Sequence, residues 1–203
     1  MSEGRLIVGV TGASGTPYAV RFVEQAVRAG RDVWLIVSAA GRLVLADEAG
    51  LGGSTDEPDF STLWPEKVLA HLTYTPAEQL RAPPASGSFE AEAVVIIPCS
   101  MNTAAALAHG LSGNLLQRAG AVALKEGRPL VLVPRETPMT RIDFENLARL
   151  AAAGAHVVPA MPGFYHRPQS VADLVDFVVA KVLARLGIEH GLKVRWPLLE
   201  REA

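Results

Sequence analysis

The chain has 203 residues, 49% of them hydrophobic and 20% charged, which suits one domain of ordinary to large size with a substantial core. A net charge of −2 with no basic run argues against a nucleic-acid or membrane-surface partner. A single cysteine excludes an intramolecular disulfide framework and a Cys-rich metal site.

Residues 1–4 are polar, and the apolar run 6–10 is too short for a signal-peptide core. No stretch approaches membrane-spanning length, so a cytoplasmic protein is the expectation. Residues 5–10 (RLIVGV) read as a strand running into Thr11-Gly12-Ala13-Ser14-Gly15, with a helix following over 16–29. A strand, a glycine turn and a helix N-terminus make an anion site of free N–H groups and a positive dipole end. The spacing Gly9-x-x-Gly12-x-x-Gly15 is not the dinucleotide pattern, and a tight turn without a ligand explains the glycines equally well. Ser14 adds a hydroxyl that a plain turn does not need.

A second strand over 33–37 (VWLIV) ends at Ser38, with no acidic residue for a dinucleotide ribose. That favours a mononucleotide or a phosphate-only ligand. A helix is expected over 39–49, with Glu48 near its end reading as solvated. Residues 50–59 form a Gly/Ser/Asp/Pro-rich loop, and 63–72 read as weakly helical. Ser86-Gly87-Ser88 either wraps a phosphate or makes a plain turn.

The apolar runs 94–97 and 130–133 read as buried parallel strands. Ligands of an open α/β sheet bind beyond the carboxyl ends of its strands. Residues 98–103 (PCSMNT) and 134–137 (PRET) are therefore expected at the site. Between them a helix over 113–126 carries Arg118 and Lys125 on one face, as solvated surface or as an anion clamp. A helix over 141–153 precedes a short strand at 156–160. The final helix starts at Ser170, with Asp173 at the capping-box position, and ends at Gly187. The alternation predicts a three-layer α/β/α sandwich, a flavodoxin-like (Rossmann-like) parallel sheet, formed by residues 1–203 as one domain.

Taken together, the motifs resemble those of the UbiX-like flavin prenyltransferases, formerly described as aromatic-acid or 3-octaprenyl-4-hydroxybenzoate decarboxylases. The resemblance spans almost the full length. It rests on Thr11–Gly15, Ala85–Ser88, Pro98-Cys99-Ser100, Asn114–Ala119, Leu124-Lys125-Glu126, Pro134–Pro138, Gly163–Ser170 and Arg195-Trp196. It implies an FMN-binding domain whose cofactor contacts are Gly12, Ala13, Ser14, Ser38, Ser100, Met101, Asn102, Thr103 and Arg135. It implies dimethylallyl monophosphate as donor, held by Ser86, Gly87, Arg118, Lys125, Glu136, Tyr165, Lys181 and Trp196, some from a neighbouring subunit. Catalytic roles fall to Ser14, Lys125 and Glu136. The product would be prenylated FMN for a UbiD-type decarboxylase, in ubiquinone biosynthesis, and the assembly a homododecamer.

The residues suit that chemistry. Allylic C–O cleavage builds negative charge on phosphate, which fixed cations and donors stabilise. The electron-rich flavin, with Trp196 beside it, can stabilise the allyl cation by cation–π attraction. No Asp-rich pair of the kind that holds a magnesium diphosphate is present, in keeping with a monophosphate donor and no metal. Lys181 stands where the family often has Arg, keeping charge but losing the bidentate fork. Cys99 reads as a small buried residue rather than a nucleophile. The main rival is an FMN-dependent cysteine decarboxylase, for which His71 is the sole candidate base; a second is a flavin carrier without catalysis.

Overall fold

The computed structural model describes residues 4–192 and 194. In chain order the elements begin with β1 (Gly4–Val10), α1 (Thr16–Arg28), β2 (Arg31–Val37) and α2 (Ala39–Ala49). The two-residue strands β3 (Gly52–Gly53) and β4 (Pro58–Asp59) and the short α3 (Glu66–Leu69) follow. Next come β5 (Leu72–Pro76), β6 (Ala93–Cys99), α4 (Met101–Ala108) and α5 (Leu115–Lys125). The last elements are β7 (Leu130–Pro134), α6 (Arg141–Ala152), β8 (His156–Val157) and α7 (Val171–Arg185).

Six strands form one parallel sheet in the order β5-β2-β1-β6-β7-β8, the three-layer architecture expected from the sequence. The strands are apolar throughout because successive side chains point to opposite, equally buried faces. Leu6, Val8, Val10, Leu35, Val37, Val95, Ile97, Val131 and Val133 join one core cluster, which includes residues of α1 and α7. Ile7, Ile36, Val94, Ile96, Leu130 and Leu132 join the other, with residues of α4, α5 and α6.

Two regions differ from the sequence reading. Over 63–72, read as weakly helical, the helix is the single turn of α3; a 3-10 turn (Phe60–Thr62) precedes it, and the edge strand β5, not expected from the sequence, follows. The strand LTYTP is short, half-buried and ends in proline, so it lacks the continuous apolar run of the inner strands. Its Tyr74 packs on Phe60 at 4.7 Å, and Thr75 accepts a hydrogen bond from the Trp34 indole. Residues 50–59, expected as plain loop, contain the antiparallel pair of β3 and β4. Helix ends follow the predicted chemistry. Ser170 and Asp173 complete a capping box, and Thr140 with Asp143 forms another.

After β1 the chain winds outward through β2 to β5, then crosses back to lay β6, β7 and β8 on the other side. The reversal lies between β1 and β6, and a crevice opens there at the strands' carboxyl ends. Thr11, 2% exposed, ties the two strand ends together. Its hydroxyl donates to the Pro98 carbonyl (2.7 Å) and accepts from the Ser100 amide (2.8 Å). Thr11→Val keeps the shape but leaves the Ser100 amide without its acceptor and the Pro98 carbonyl with only the longer bond from the residue 11 amide (3.4 Å). It should cost about 2 kcal/mol, lowering Tm by about 4–8 °C in calorimetry.

Candidate functional site

Four strand ends and three helix N-termini meet at this crevice. Gly15 precedes α1 with φ 110°, a left-handed conformation that glycine adopts without strain. Gly12 must also be small, because a Cβ there would lie 2.5 Å from the Ala40 Cβ of α2. The Gly12, Ala13 and Ser14 amides have no acceptor in the described residues. Ser38 caps α2 by accepting from the Gly41 amide, and its own amide donates to the Val10 carbonyl. Ser100 caps α4, accepting from the Thr103 amide. Arg135, just past β7, donates from its amide to the Cys99 carbonyl and from Nε to the Ser14 carbonyl (3.2 Å). The loops after β1, β6 and β7 are thus bound to one another. They present free amides and hydroxyls under positive helix ends, a donor set that fits a phosphate-bearing mononucleotide such as FMN.

The expected flavin contacts divide by exposure. Gly12, Ser14 and Asn102 are exposed, while Ser38, Ser100 and Arg135 are half-buried. Ala13, Met101 and Thr103 are buried. Met101 packs into the core, and the Thr103 hydroxyl accepts from Ser100. Their side chains therefore support the crevice from behind, leaving the backbone as the contact they can offer.

Glu48, expected to be solvated, has a specific place. Its Oε2 accepts from the Gly15 amide (2.8 Å), the Thr16 amide (2.9 Å) and the Thr16 hydroxyl (3.0 Å). Desolvation pushes its carboxyl up, but hydrogen bonds from the Ser14 hydroxyl, the two amides and Thr16 outweigh it and leave the pKa below its ordinary 4.5. Glu48 is thus the site residue the sequence did not single out. It lies 32 residues from Thr16, and its position at the end of α2 carries no local signal.

The expected phosphate-binding residues fall into three groups. Glu136, beside Arg135, is half-buried at the crevice, with Oε1 accepting from the Thr137 amide. Ser86, Gly87, Arg118 and Lys125 gather elsewhere. Helix α5 starts next to Ala77, at the carboxyl ends of β2 and β5, and descends about 16 Å toward the amino ends of the strands. Arg118 donates to the Ala85 carbonyl (3.1 Å), and Lys125 pairs with Glu126 (2.9 Å), whose carboxylate lies against Gly87. The Lys125 ammonium in turn holds the Glu126 carboxyl below its ordinary range. Tyr165 and Lys181 lie across the sheet, against α7. Tyr165 packs edge-on to Phe177 at 5.5 Å, and the Lys181 ammonium sits 5.4 Å from the same ring. Trp196 falls outside the described residues.

Other candidates have structural explanations. Cys99 is fully buried, and burial pushes its thiol up to about 12, so no thiolate is available for attack. His71 pairs with Asp32 (2.9 Å), and its carbonyl accepts from Val33 near the start of β2. It stands at the amino end of the edge strand β5, whereas Ser100–Thr103 lie at the carboxyl end of the inner strand β6, so it has no route to that loop. His166 stacks on Phe177 at 5.3 Å and shapes its loop. Among the described residues no group of three His, Cys, Asp or Glu side chains is placed to hold a metal, and no helix is long and apolar enough to cross a membrane.

Residues 1–183 match the Flavoprotein family model. The chain is 45% identical over 203 residues to a protein of Pseudomonas aeruginosa named flavin prenyltransferase UbiX, covering 95% of this chain and 93% of that one. A dodecameric FMN-dependent UbiX-like decarboxylase from Escherichia coli O157:H7 superposes with a TM-score of 0.84 at 37% identity, covering 96% of this chain and all of the other. A UbiX protein (PadA1) solved with FMN and dimethylallyl pyrophosphate also gives 0.84, at 32% identity, covering 97% of this chain and 99% of that one.

Replacing Glu48 by Gln should speed amide exchange at Gly15 and Thr16. The wild type should lose the same protection as pH falls. The folded pKa is depressed, so the stabilisation is complete above the unfolded value near 4.5 and disappears as pH drops through the folded one. Exchange at those two amides measured across that range, in wild type and variant, checks both.

Proposed function

The chain belongs to the flavin prenyltransferases, and from that premise we propose that it takes dimethylallyl monophosphate as donor and joins the prenyl group to N5 and C6 of reduced FMN. It binds FMN and is a transferase acting on that flavin. When bound, reduced FMN supplies the electron-rich nitrogen and ring carbon that the allyl group joins, and inorganic phosphate leaves. What supports the donor assignment is the presence of two separate anion-ready regions: the crevice with its free amides, and the cationic loop along α5.

In this reading Gly12, Ala13, Ser38, Ser100, Asn102 and Arg135 hold the flavin, with Met101 and Thr103 contributing backbone and packing. Ser14 stands at N5. Its hydroxyl is oriented by Glu48, whose lowered pKa keeps the carboxylate ionised as a hydrogen-bond acceptor. Glu136, at the mouth of the crevice, exchanges a proton with the departing phosphate. Ser86, Gly87, Arg118, Lys125, Tyr165, Lys181 and Trp196 grip that phosphate and stabilise the charge it gains. Cations preassembled around the leaving group lower the cost of breaking the C–O bond without a metal.

The geometry bears on assembly. Arg118 and Lys125 project from α5 on one face of the sheet, while Tyr165 and Lys181 lie with α7 on the other. No single copy can close all four on one phosphate, so the site is completed by neighbouring copies. A homododecamer, the state named for the Escherichia coli relative, provides them. The product would pass in the cytoplasm to a UbiD-type decarboxylase, in ubiquinone biosynthesis among other routes. The cysteine-decarboxylase reading is not favoured, given the position of His71.

Anaerobic incubation of reduced FMN with dimethylallyl monophosphate should yield a flavin heavier by one prenyl unit in the mass spectrum. An unchanged flavin would sink the donor assignment. Glu136→Gln should keep FMN affinity while transfer falls about 100-fold; parallel loss of FMN binding would remove its assigned role. Lys181→Ala should raise the donor KM about tenfold, and an unaltered KM would count against phosphate contact.

A further inference from the structure

Arg128 lies between α5 and β7 and is absent from the residues assigned above. Its Nη1 donates to the Phe89 carbonyl and its Nη2 to the Gly87 carbonyl, each at 2.6 Å. Two short charge-assisted bonds from one planar guanidinium fix both the position and the rotation of the segment they hold. Arg118 adds a third bond of this kind, to the Ala85 carbonyl. The carbonyls of residues 85, 87 and 89 are therefore all turned onto α5 and its C-terminal turn. Of the other two, the Ser86 carbonyl accepts from the Phe89 amide, which leaves the Ser88 carbonyl as the one acceptor of the segment that these bonds do not hold.

The other side of the loop is consequently rich in donors. The Gly87 amide has no acceptor among the described residues. The Ser86 and Ser88 hydroxyls, 2.8 Å apart, are exposed beside it. Carbonyl oxygens repel an approaching phosphate, whereas amides and hydroxyls attract it. A loop free to rotate would show the anion both kinds. With the carbonyls of residues 85, 87 and 89 held by guanidinium groups, the Gly87 amide and the serine hydroxyls are left to face the anion, next to the Lys125 ammonium, which an arriving phosphate would take over from the Glu126 carboxylate that lies against Gly87.

We infer that Arg128 is a positioning residue for prenyl transfer: by holding the Gly87 and Phe89 carbonyls it turns the Ser86–Ser88 loop so that its donors face the donor's phosphate. The inference rests on the reading of that loop as a phosphate seat. Arg128 itself does not touch the reacting atoms. It sets the orientation of groups that do, and its charge strengthens the field they present.

The test compares Arg128→Gln, Arg128→Lys and Ser86→Ala in the full-length protein, with dimethylallyl monophosphate as the varied substrate. Arg128→Gln should raise the donor KM about tenfold or more, with FMN Kd and Tm close to wild type. Arg128→Lys keeps the charge but not the fork, and should fall between the two. A merely structural role would move FMN affinity together with the donor KM, and that outcome would overturn the inference. A donor KM within about twofold of wild type in Arg128→Gln would overturn it too. Ser86→Ala tells the two failures apart. If it raises the donor KM while Arg128→Gln does not, the seat stands and the role of Arg128 falls; if neither changes KM, the seat itself is misassigned. Should Arg128→Gln fail to fold, Arg128→Lys decides by the same KM criterion.

Discussion

The hydroxyl of Thr11 is the smallest group on which the arrangement depends. It spans the point where the winding of the sheet reverses, accepting from one residue after β6 and donating to a carbonyl within it. A parallel sheet has no ladder bond to offer beyond its last paired residues, so strand ends at a reversal tend to splay. One buried, doubly used oxygen prevents this, and the Arg135 side chain extends the connection to the loop after β7. The three loops therefore reach the ligand as a single preformed surface. Little ordering entropy is then left to lose on binding.

Two glutamates have analogous positions in otherwise anion-seeking places. Glu48 lies across the first turn of α1, and Glu126 pairs with Lys125 against Gly87. Both carboxyls are held below their ordinary range by the donors around them. Both are exposed or nearly so, and neither ion pair nor cap contributes much to global stability in water. Their effect is local: they keep donors and cations pointed in a fixed direction before any ligand arrives.

Much of this was legible in the chain itself. The inner strands announce themselves by β-branched runs with no polar face, since both faces are covered. Ser170 with Asp173 marks a helix start by its side-chain oxygen, whereas the same role of Ser38, Ser100 and Asn114 emerged only from the fold. What was not legible depends on partners distant in sequence. Strand β5 looks helical or irregular until β2 is laid beside it. Glu48 resembles any exposed helix residue until α1 is placed 32 positions upstream. Arg128 is an ordinary cation ahead of a strand until the loop at 85–89 folds onto it. Met101 and Thr103 were legible as members of a binding motif, but not as residues whose side chains turn inward.

The division of cations between the two faces of the sheet has a genetic consequence. If the proposed assembly holds, each copy carries half-sites and each whole site borrows from its neighbours. A chain damaged only on its α5 face still lends an intact α7 face, and the reverse holds for its counterpart. Two inactive chains with lesions on opposite faces, assembled together, would regenerate some undamaged sites by chance pairing. Their mixture would be active where neither is alone. A cell carrying both alleles would thus be better supplied with product than either parent, and dominance among such alleles would follow the face of the sheet rather than the severity of the substitution.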